Sequence, residues 1–159
     1  MILAVITISD RCALGLTTDT AGPAVAAKLA AVWPQAEIAN RLVPDEEEQI
    51  VAMLLDLCAL GASLVLTVGG TGLGPRDRTP EATRRVIDRE APGLAEAMRA
   101  TTAANNPYAW LSRGIAGLKS STLIVNLPGS QRGATECWDA IASLVHHGLE
   151  VAGGGKDHP

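Results

Sequence analysis

One short apolar run limits this chain to few architectures. Residues 63–68 read SLVLTV, are almost continuously apolar, and are followed at once by two glycines. A strand with one face in water alternates apolar and polar residues, whereas a strand buried on both faces of a parallel sheet shows a continuous run. The run therefore predicts an inner strand of a parallel sheet that helices cover on both faces.

The rest of the chain alternates strand and helix signals in the order β-α-β-α-β-α-α-β-α. Such alternation predicts an α/β fold, a three-layer αβα sandwich with a mostly parallel sheet. The sequence leaves open whether residues 112–116 form a strand or an extended segment. The predicted strands cover residues 3–8, 36–43, 63–68 and 122–127. The predicted helices cover residues 23–32, 45–60, 79–89 and 94–104, and a last helix begins at about Gln131.

Size and composition narrow the possible partners. The 159 residues suit one domain, which we place at residues 1–152, with a loose tail at 153–159. A net charge of −4 and 3% aromatic residues argue against nucleic-acid binding. No apolar run is long enough to span a bilayer, so no membrane partner is expected. Three scattered cysteines without zinc spacing fit a reducing compartment, and we predict a cytoplasmic location.

Polar or glycine-rich turns follow all four predicted strands. Because ligands of open α/β sheets bind at the carboxyl ends of the strands, these turns should form one site. This convergence is a stronger indication than any single motif. The turns are Ser9-Asp10-Arg11, Pro44-Asp45-Glu46, Gly69-Gly70-Thr71-Gly72 and Asn126-Leu127-Pro128-Gly129-Ser130.

The glycine-rich turn after the third strand matches neither common phosphate loop. Pro75 occupies the place of the Walker A lysine, and also that of the third glycine of a dinucleotide fingerprint. What remains is a glycine turn whose N–H groups can face an anion. Arg76 and Arg78 could add positive charge, but Asp77 would repel a phosphate unless a cation lies between them. Mg²⁺ is the natural candidate, and Asp45 and Asp10 at neighbouring strand exits could join Asp77 in holding it.

Each of these carboxylates also has a structural interpretation. Asp45 precedes Glu48 at the spacing of a capping box and can simply begin a helix. Asp77 can organise its own loop or pair with Arg76 or Arg78, and Asp10 can form a turn.

In this order the motifs closely resemble those of the molybdenum cofactor biosynthesis family that includes molybdopterin adenylyltransferases and their MoaB-type relatives. The most specific piece is Gly-Gly-Thr-Gly, four residues, and then Asp-x-Thr-Pro-Glu. The likeness spans nearly the whole chain, including Ser112-Arg113-Gly114. Gln131 departs from the pattern, which often has proline there, and we expect it to change loop stiffness.

The resemblance implies a specific reaction. It implies transfer of AMP from ATP to the terminal phosphate of molybdopterin with Mg²⁺ and release of pyrophosphate. Asp45 and Asp77 match the catalytic pair and would hold the metal. The implied assembly is a homotrimer or a dimer of trimers, with a molybdenum-insertion protein as a further partner. The residues predicted to bind the substrates are Ser9, Asp10, Gly69, Gly70, Thr71, Gly72, Ser112, Arg113, Asn126, Pro128, Gly129 and Ser130.

Two other functions stay open at the level of sequence. The first is a non-catalytic or weakly active MoaB-type paralogue that binds pterin or nucleotide. The second is a competence-damage-type nucleotide hydrolase domain, although that group usually has Gly-Gly-Leu-Gly-Pro-Thr at the glycine turn. Thr71 and the segment from Arg76 to Arg78 favour the molybdenum cofactor family.

Overall fold

Six strands form one mixed sheet in the computed structural model, which describes residues 1–152. The strands are β1 (Ile2–Ile8), β2 (Glu37–Val43), β3 (Ala62–Val68), β4 (Arg89–Glu90), β5 (Ala116–Lys119) and β6 (Thr122–Leu127). Their order across the sheet is β2-β1-β3-β6-β5-β4. β2, β1, β3 and β6 are parallel, whereas β5 and β4 add an antiparallel edge.

Helices cover both faces of this sheet. They are α1 (Asp10–Ala13), α2 (Ala21–Val32), α3 (Glu47–Ala59), α4 (Thr79–Val86), α5 (Pro92–Ala103) and α6 (Gln131–Ala152), with a 3₁₀ helix at Pro107–Leu111. Helices α2, α5 and α6 pack on one face, and α3 and α4 pack on the other. The predicted αβα sandwich with a mostly parallel sheet is therefore confirmed.

Side chains of the inner strands feed the two cores alternately. In β1, Leu3 and Val5 face α2 and α6, while Ala4 and Ile6 face α3. Every residue of β6 is buried, and so is β3 apart from Ser63. Burial on both faces is the reason that β3 reads as a continuous apolar run.

The antiparallel edge is where the sequence prediction was incomplete. The helix expected to reach Arg89 ends at Val86, because Ile87 takes an extended conformation and the Asp88 N–H donates to Leu118 O at 2.7 Å. This pairing leads into β4, which was not predicted. Residues 112–115 precede β5, so the undecided strand lies slightly later than the residues considered for it. The short helix α1 was also missed.

The assignment of residues 1–152 to one domain stays a prediction, and the tail predicted at 153–159 lies outside the described residues. None of the helices within residues 1–152 combines the length and the apolar character that crossing a membrane requires.

Trp138 is the largest fully buried side chain and packs between α6 and α2, with its ring centroid 6.1 Å from that of Trp33. We expect Trp138→Ala to lower the free energy of unfolding by about 3–5 kcal/mol, because it leaves a cavity in the core. Urea unfolding measures this loss. Trp110→Ala is the matched control, since Trp110 is 60% exposed. Equal losses in the two variants would contradict the placement of Trp138.

Candidate functional site

The four parallel strands bring their exit turns to one edge of the sheet. Ser9 N–H donates to Val43 O at 3.0 Å, and Gly69 N–H donates to Leu127 O at 3.1 Å. These bonds extend the pairing of β1 with β2 and of β3 with β6 into the turns. The sequence reasoning that these turns meet in space is thus confirmed.

Asp10 and Asp45 tie the exits of β1 and β2 together by reciprocal hydrogen bonds. Asp10 N–H donates to Asp45 Oδ2 at 2.9 Å, and Asp45 N–H donates to Asp10 Oδ1 at 3.0 Å. The capping interpretation of Asp45 is therefore wrong. Helix α3 begins at Glu47 after Glu46, without a side-chain cap, because the Asp45 carboxylate is turned across the sheet edge to Asp10.

The two aspartates differ in their electrostatic surroundings. Burial raises the pKa of Asp45, and the nearby carboxylates of Asp10 and Asp77 raise it further, although the Asp10 N–H works in the opposite direction. The hydrogen bond from Arg76 lowers the pKa of Asp10. Asp45 is thus a half-buried carboxylate with two negative neighbours, an arrangement that a bound cation would relieve.

The glycine turn is folded tightly against the Asp45 carboxylate. Gly69 and Gly70 have φ angles of 111° and 65°, which disfavour residues with a side chain. Thr79 fixes the turn, because its N–H donates to Gly70 O at 3.1 Å and its hydroxyl donates to Gly69 O at 2.9 Å. A Cβ on Gly70 would collide with Thr79 Oγ1 and lie 3.1 Å from Asp45 Oδ1.

Asp77 organises its own loop and also reaches the site. Its Oδ2 accepts the Gly74 N–H at 2.8 Å, which agrees with the structural interpretation of this residue. Neither neighbouring arginine pairs with it. Arg76 binds Asp10 and Glu46, and Arg78 binds Glu47. These arginines anchor the loop to the start of α3 and line neither of the two cavities that open at this edge.

Two adjoining cavities open at this edge, with volumes of about 420 Å³ and about 280 Å³. Gly70, Asp77 and Gly129 line both cavities, so the two meet there. Asp45 lines only the smaller one. Of the other residues predicted to bind substrates, Ser9 and Gly69 also line the smaller cavity, and Thr71, Gly72, Ser112, Asn126, Pro128 and Ser130 line the larger.

Asp10 and Arg113 line neither cavity, although both were predicted to bind substrates. The Arg113 guanidinium donates to Gly72 O at 2.7 Å and to Asp77 O at 2.6 Å, and it pairs with Glu81. It thereby joins the two ends of the loop that carries Asp77. Arg113 therefore stabilises the loop next to the site and does not itself line a cavity.

Asn126 likewise has structural bonds. Its amide group donates to Thr67 Oγ1 at 3.0 Å and to Thr83 Oγ1 at 2.9 Å, and its oxygen accepts the Ile115 N–H at 3.2 Å. The side chain is almost fully buried. It therefore connects β3, α4 and the segment before β5 at the wall of the larger cavity.

The residues present fit a magnesium ion better than a metal held by protein alone. No group of three or more His, Cys, Asp or Glu side chains within residues 1–152 is placed to hold a metal. Asp45 and Asp77 nevertheless line the same smaller cavity. Mg²⁺ usually takes one or two carboxylates and completes its shell with water and substrate phosphates.

One wall of the larger cavity was not predicted. It comes from α5, the 3₁₀ helix and the first turns of α6, and it includes Met98, Arg99, Tyr108 and Glu136. No motif marks these residues. Helical spacing indicated only which side of α6 is apolar, so the wall becomes visible only when the helices are packed.

Gly70→Ala tests whether the glycine turn is built around Thr79 and Asp45. Gly15→Ala is the matched control, because Gly15 has a similar φ of 70° but no atom within 4 Å of an added Cβ. The control should cost about 1 kcal/mol of stability through backbone strain alone. We expect a loss of about 3 kcal/mol or more for Gly70→Ala, measured by urea unfolding. Similar losses would show that the turn has room for a side chain.

Glu81→Gln tests the Arg113 brace through its pH dependence. Burial acts to raise the pKa of Glu81, but the hydrogen bond and charge of Arg113 outweigh it and lower the pKa below 4.5. The ionised pair therefore stabilises the fold above pH 4.5, and this contribution is lost as the pH falls through the lowered pKa. We expect Glu81→Gln to cost about 1 kcal/mol at pH 7 and much less at a pH below the lowered pKa of Glu81.

Unfolding midpoints at the two pH values measure the effect. Glu96→Gln serves as the control, because Glu96 is exposed on α5. A loss of stability in Glu81→Gln that is the same at both pH values would contradict the ion pair.

Comparison with known proteins finds similar sequences and structures over nearly the whole chain. Residues 4–147 match the family model described as "Probable molybdopterin binding domain". The chain is 39% identical to molybdopterin adenylyltransferase of Escherichia coli (strain K12), over 92% of this chain and 78% of that protein. It is 38% identical to the molybdenum cofactor synthesis protein cinnamon of Drosophila melanogaster, over 94% of this chain.

The chain spans only 25% of the length of cinnamon. Among solved structures, the molybdopterin biosynthesis enzyme MoaB from Thermus thermophilus superposes with a TM-score of 0.88 at 46% identity, covering 96% of both chains. The matched family model and these similarities over nearly the whole chain show that it belongs to the MoaB/Mog family of molybdenum cofactor biosynthesis proteins.

Proposed function

We propose that this protein transfers AMP from ATP to the terminal phosphate of molybdopterin. The observation that carries the proposal is that two cavities meet at Asp77, Gly70 and Gly129, with the Asp45 carboxylate in the smaller one. A group transfer between two substrates needs two adjoining binding spaces and a shared point of reaction. The molybdopterin adenylyltransferases related to this chain support the choice of substrates.

The proposed reaction forms and breaks one bond each. An oxygen of the molybdopterin phosphate attacks the α-phosphorus of ATP, the bond from that phosphorus to the bridging oxygen breaks, and pyrophosphate leaves with the electron pair. The attacking oxygen is already anionic near neutral pH, so no general base is needed to activate it. The main task of the protein is to place two polyanions together and to stabilise the charge that develops.

The position of Asp45 distinguishes the two cavities. Because Asp45 and Asp77 both line the smaller cavity, we place the triphosphate of ATP there and the pterin substrate in the larger cavity. Asp45 and Asp77 would hold Mg²⁺, which when bound neutralises phosphate charge. N–H groups of the glycine turn would face the phosphates at close range, because Gly69 and Gly70 carry no side chains there.

Arg76, Arg113 and Asn126 would position the groups that bind the substrates. Arg76 and Arg113 hold the loop of Asp77 from two sides, through Asp10 and Glu46 and through the loop carbonyls. The buried amide of Asn126 ties β3 to α4 at the wall of the larger cavity. The proposed trimer, molybdenum-insertion partner and cytoplasmic location stay predictions from the sequence.

Asp45→Asn and Asp77→Asn test the proposed roles of the two carboxylates. We expect each to lower kcat for adenylylated molybdopterin roughly 100-fold or more, because charge that positions the metal and phosphates is removed. Asp56→Asn is the control, since Asp56 is exposed on α3. The assay contains purified protein, ATP, Mg²⁺ and molybdopterin, and circular dichroism verifies that each variant is folded.

Near-normal turnover by Asp45→Asn would overturn its assignment. Absence of product with the unchanged protein, under conditions in which it binds both substrates, would instead identify a non-catalytic paralogue.

A further inference from the structure

Within the described part of the chain, only one positively charged side chain lines the larger cavity. The charged side chains on its wall are Asp77, Arg99 and Glu136. Arg113, the arginine that the sequence placed near a substrate phosphate, is bound to loop carbonyls and Glu81 instead. A ligand with a negatively charged group that enters this cavity therefore meets Arg99 as its available guanidinium.

The Arg99 guanidinium is held in place by only one of its three nitrogen atoms. Its Nη1 donates to Ser112 O at 3.2 Å and to Gly114 O at 3.0 Å. Both acceptors are neutral, and Arg99 has no carboxylate partner within residues 1–152, in contrast to Arg76, Arg78 and Arg113. Two backbone carbonyls thus fix the guanidinium while its Nε and Nη2 donors make no hydrogen bond to residues 1–152.

The surroundings of Arg99 suit a ring compound with an anionic substituent. Ala95, Met98 and Leu111 give the cavity an apolar wall. The negative charge that α6 contributes to the cavity wall is already paired, because Glu136 accepts a hydrogen bond from Arg132 at 2.7 Å. A planar guanidinium that keeps two free donors can bind an oxyanion through parallel hydrogen bonds.

We propose that Arg99 is a binding residue for an anionic group of the pterin substrate in the larger cavity. The inference rests on the proposed function and deepens it. Arg99 would add affinity for the pterin and not for ATP, because the carboxylates that would hold the nucleotide's metal line the other cavity. The Ser112 and Gly114 carbonyls would orient its guanidinium before the ligand arrives.

Binding measurements on Arg99→Gln and Arg99→Lys test this role. The probes are molybdopterin and, separately, ATP with Mg²⁺, followed by quenching of tryptophan fluorescence or by calorimetry. We expect Arg99→Gln to weaken molybdopterin binding tenfold or more and to change ATP binding less than twofold. The molybdopterin affinity of Arg99→Lys should lie between those of the unchanged protein and Arg99→Gln, because lysine keeps the charge but loses the planar fork.

Arg89→Gln is the matched control, since Arg89 is exposed on β4 and does not line either cavity. Thermal unfolding of all variants separates a loss of contacts to Ser112 and Gly114 from a loss of binding. Dephosphorylated molybdopterin identifies the group that is bound. If the effect of Arg99→Gln disappears with this probe, the group is the phosphate, and if it persists, the group is the dithiolene.

Two results would overturn the inference, and they differ in meaning. Equal molybdopterin binding by unchanged protein and Arg99→Gln would remove the role of Arg99 and leave the proposed function intact. Equal losses of molybdopterin and ATP binding would show that Arg99 acts on the fold of the site. Failure of the unchanged protein to bind molybdopterin would overturn the proposed function itself.

Discussion

The reciprocal hydrogen bonds between Asp10 and Asp45 are the contact on which the site depends. Each carboxylate accepts the other residue's backbone N–H, so the exits of β1 and β2 are fixed to one another. Asp10 also fixes the glycine-rich loop to these strand exits, because its oxygens accept hydrogen bonds from Arg76 in that loop. One small polar cluster thus determines where Asp45 and the loop of Asp77 stand relative to each other.

Arg113 makes a second set of contacts that holds the loop of Asp77. Its guanidinium reaches the carbonyls of Gly72 and Asp77, at the two ends of the loop, and pairs with Glu81 of α4. Gly70 also contributes, since its missing Cβ leaves room for Thr79 and Asp45. The site is preorganised in this sense: its carboxylates are placed by neighbouring contacts before any ligand binds.

Much of the fold could be predicted from the sequence, for identifiable reasons. β3 and β6 lie between neighbouring strands and two helical layers. Their burial therefore requires apolar residues at almost every position, and the sequence shows this. The edge of the sheet could not be predicted equally well. β4 is two residues long, and its exposed Arg89 and Glu90 pair with β5 through backbone atoms alone, which leaves no pattern of side chains.

The sequence by itself determined the three-layer α/β architecture of the core and the order of the polar turns at the strand exits. Both follow from local signals, namely apolar runs, helical spacing and glycine, and the family motif follows from the same residues. Only the tertiary structure decided which polar groups are free. Asp45 could cap a helix and Arg113 could face a ligand until packing supplied Asp10 and the carbonyls of Gly72 and Asp77 as partners. Competition among hydrogen-bond partners distant in sequence leaves no local signal, and for that reason Arg99 emerged only from the folded chain.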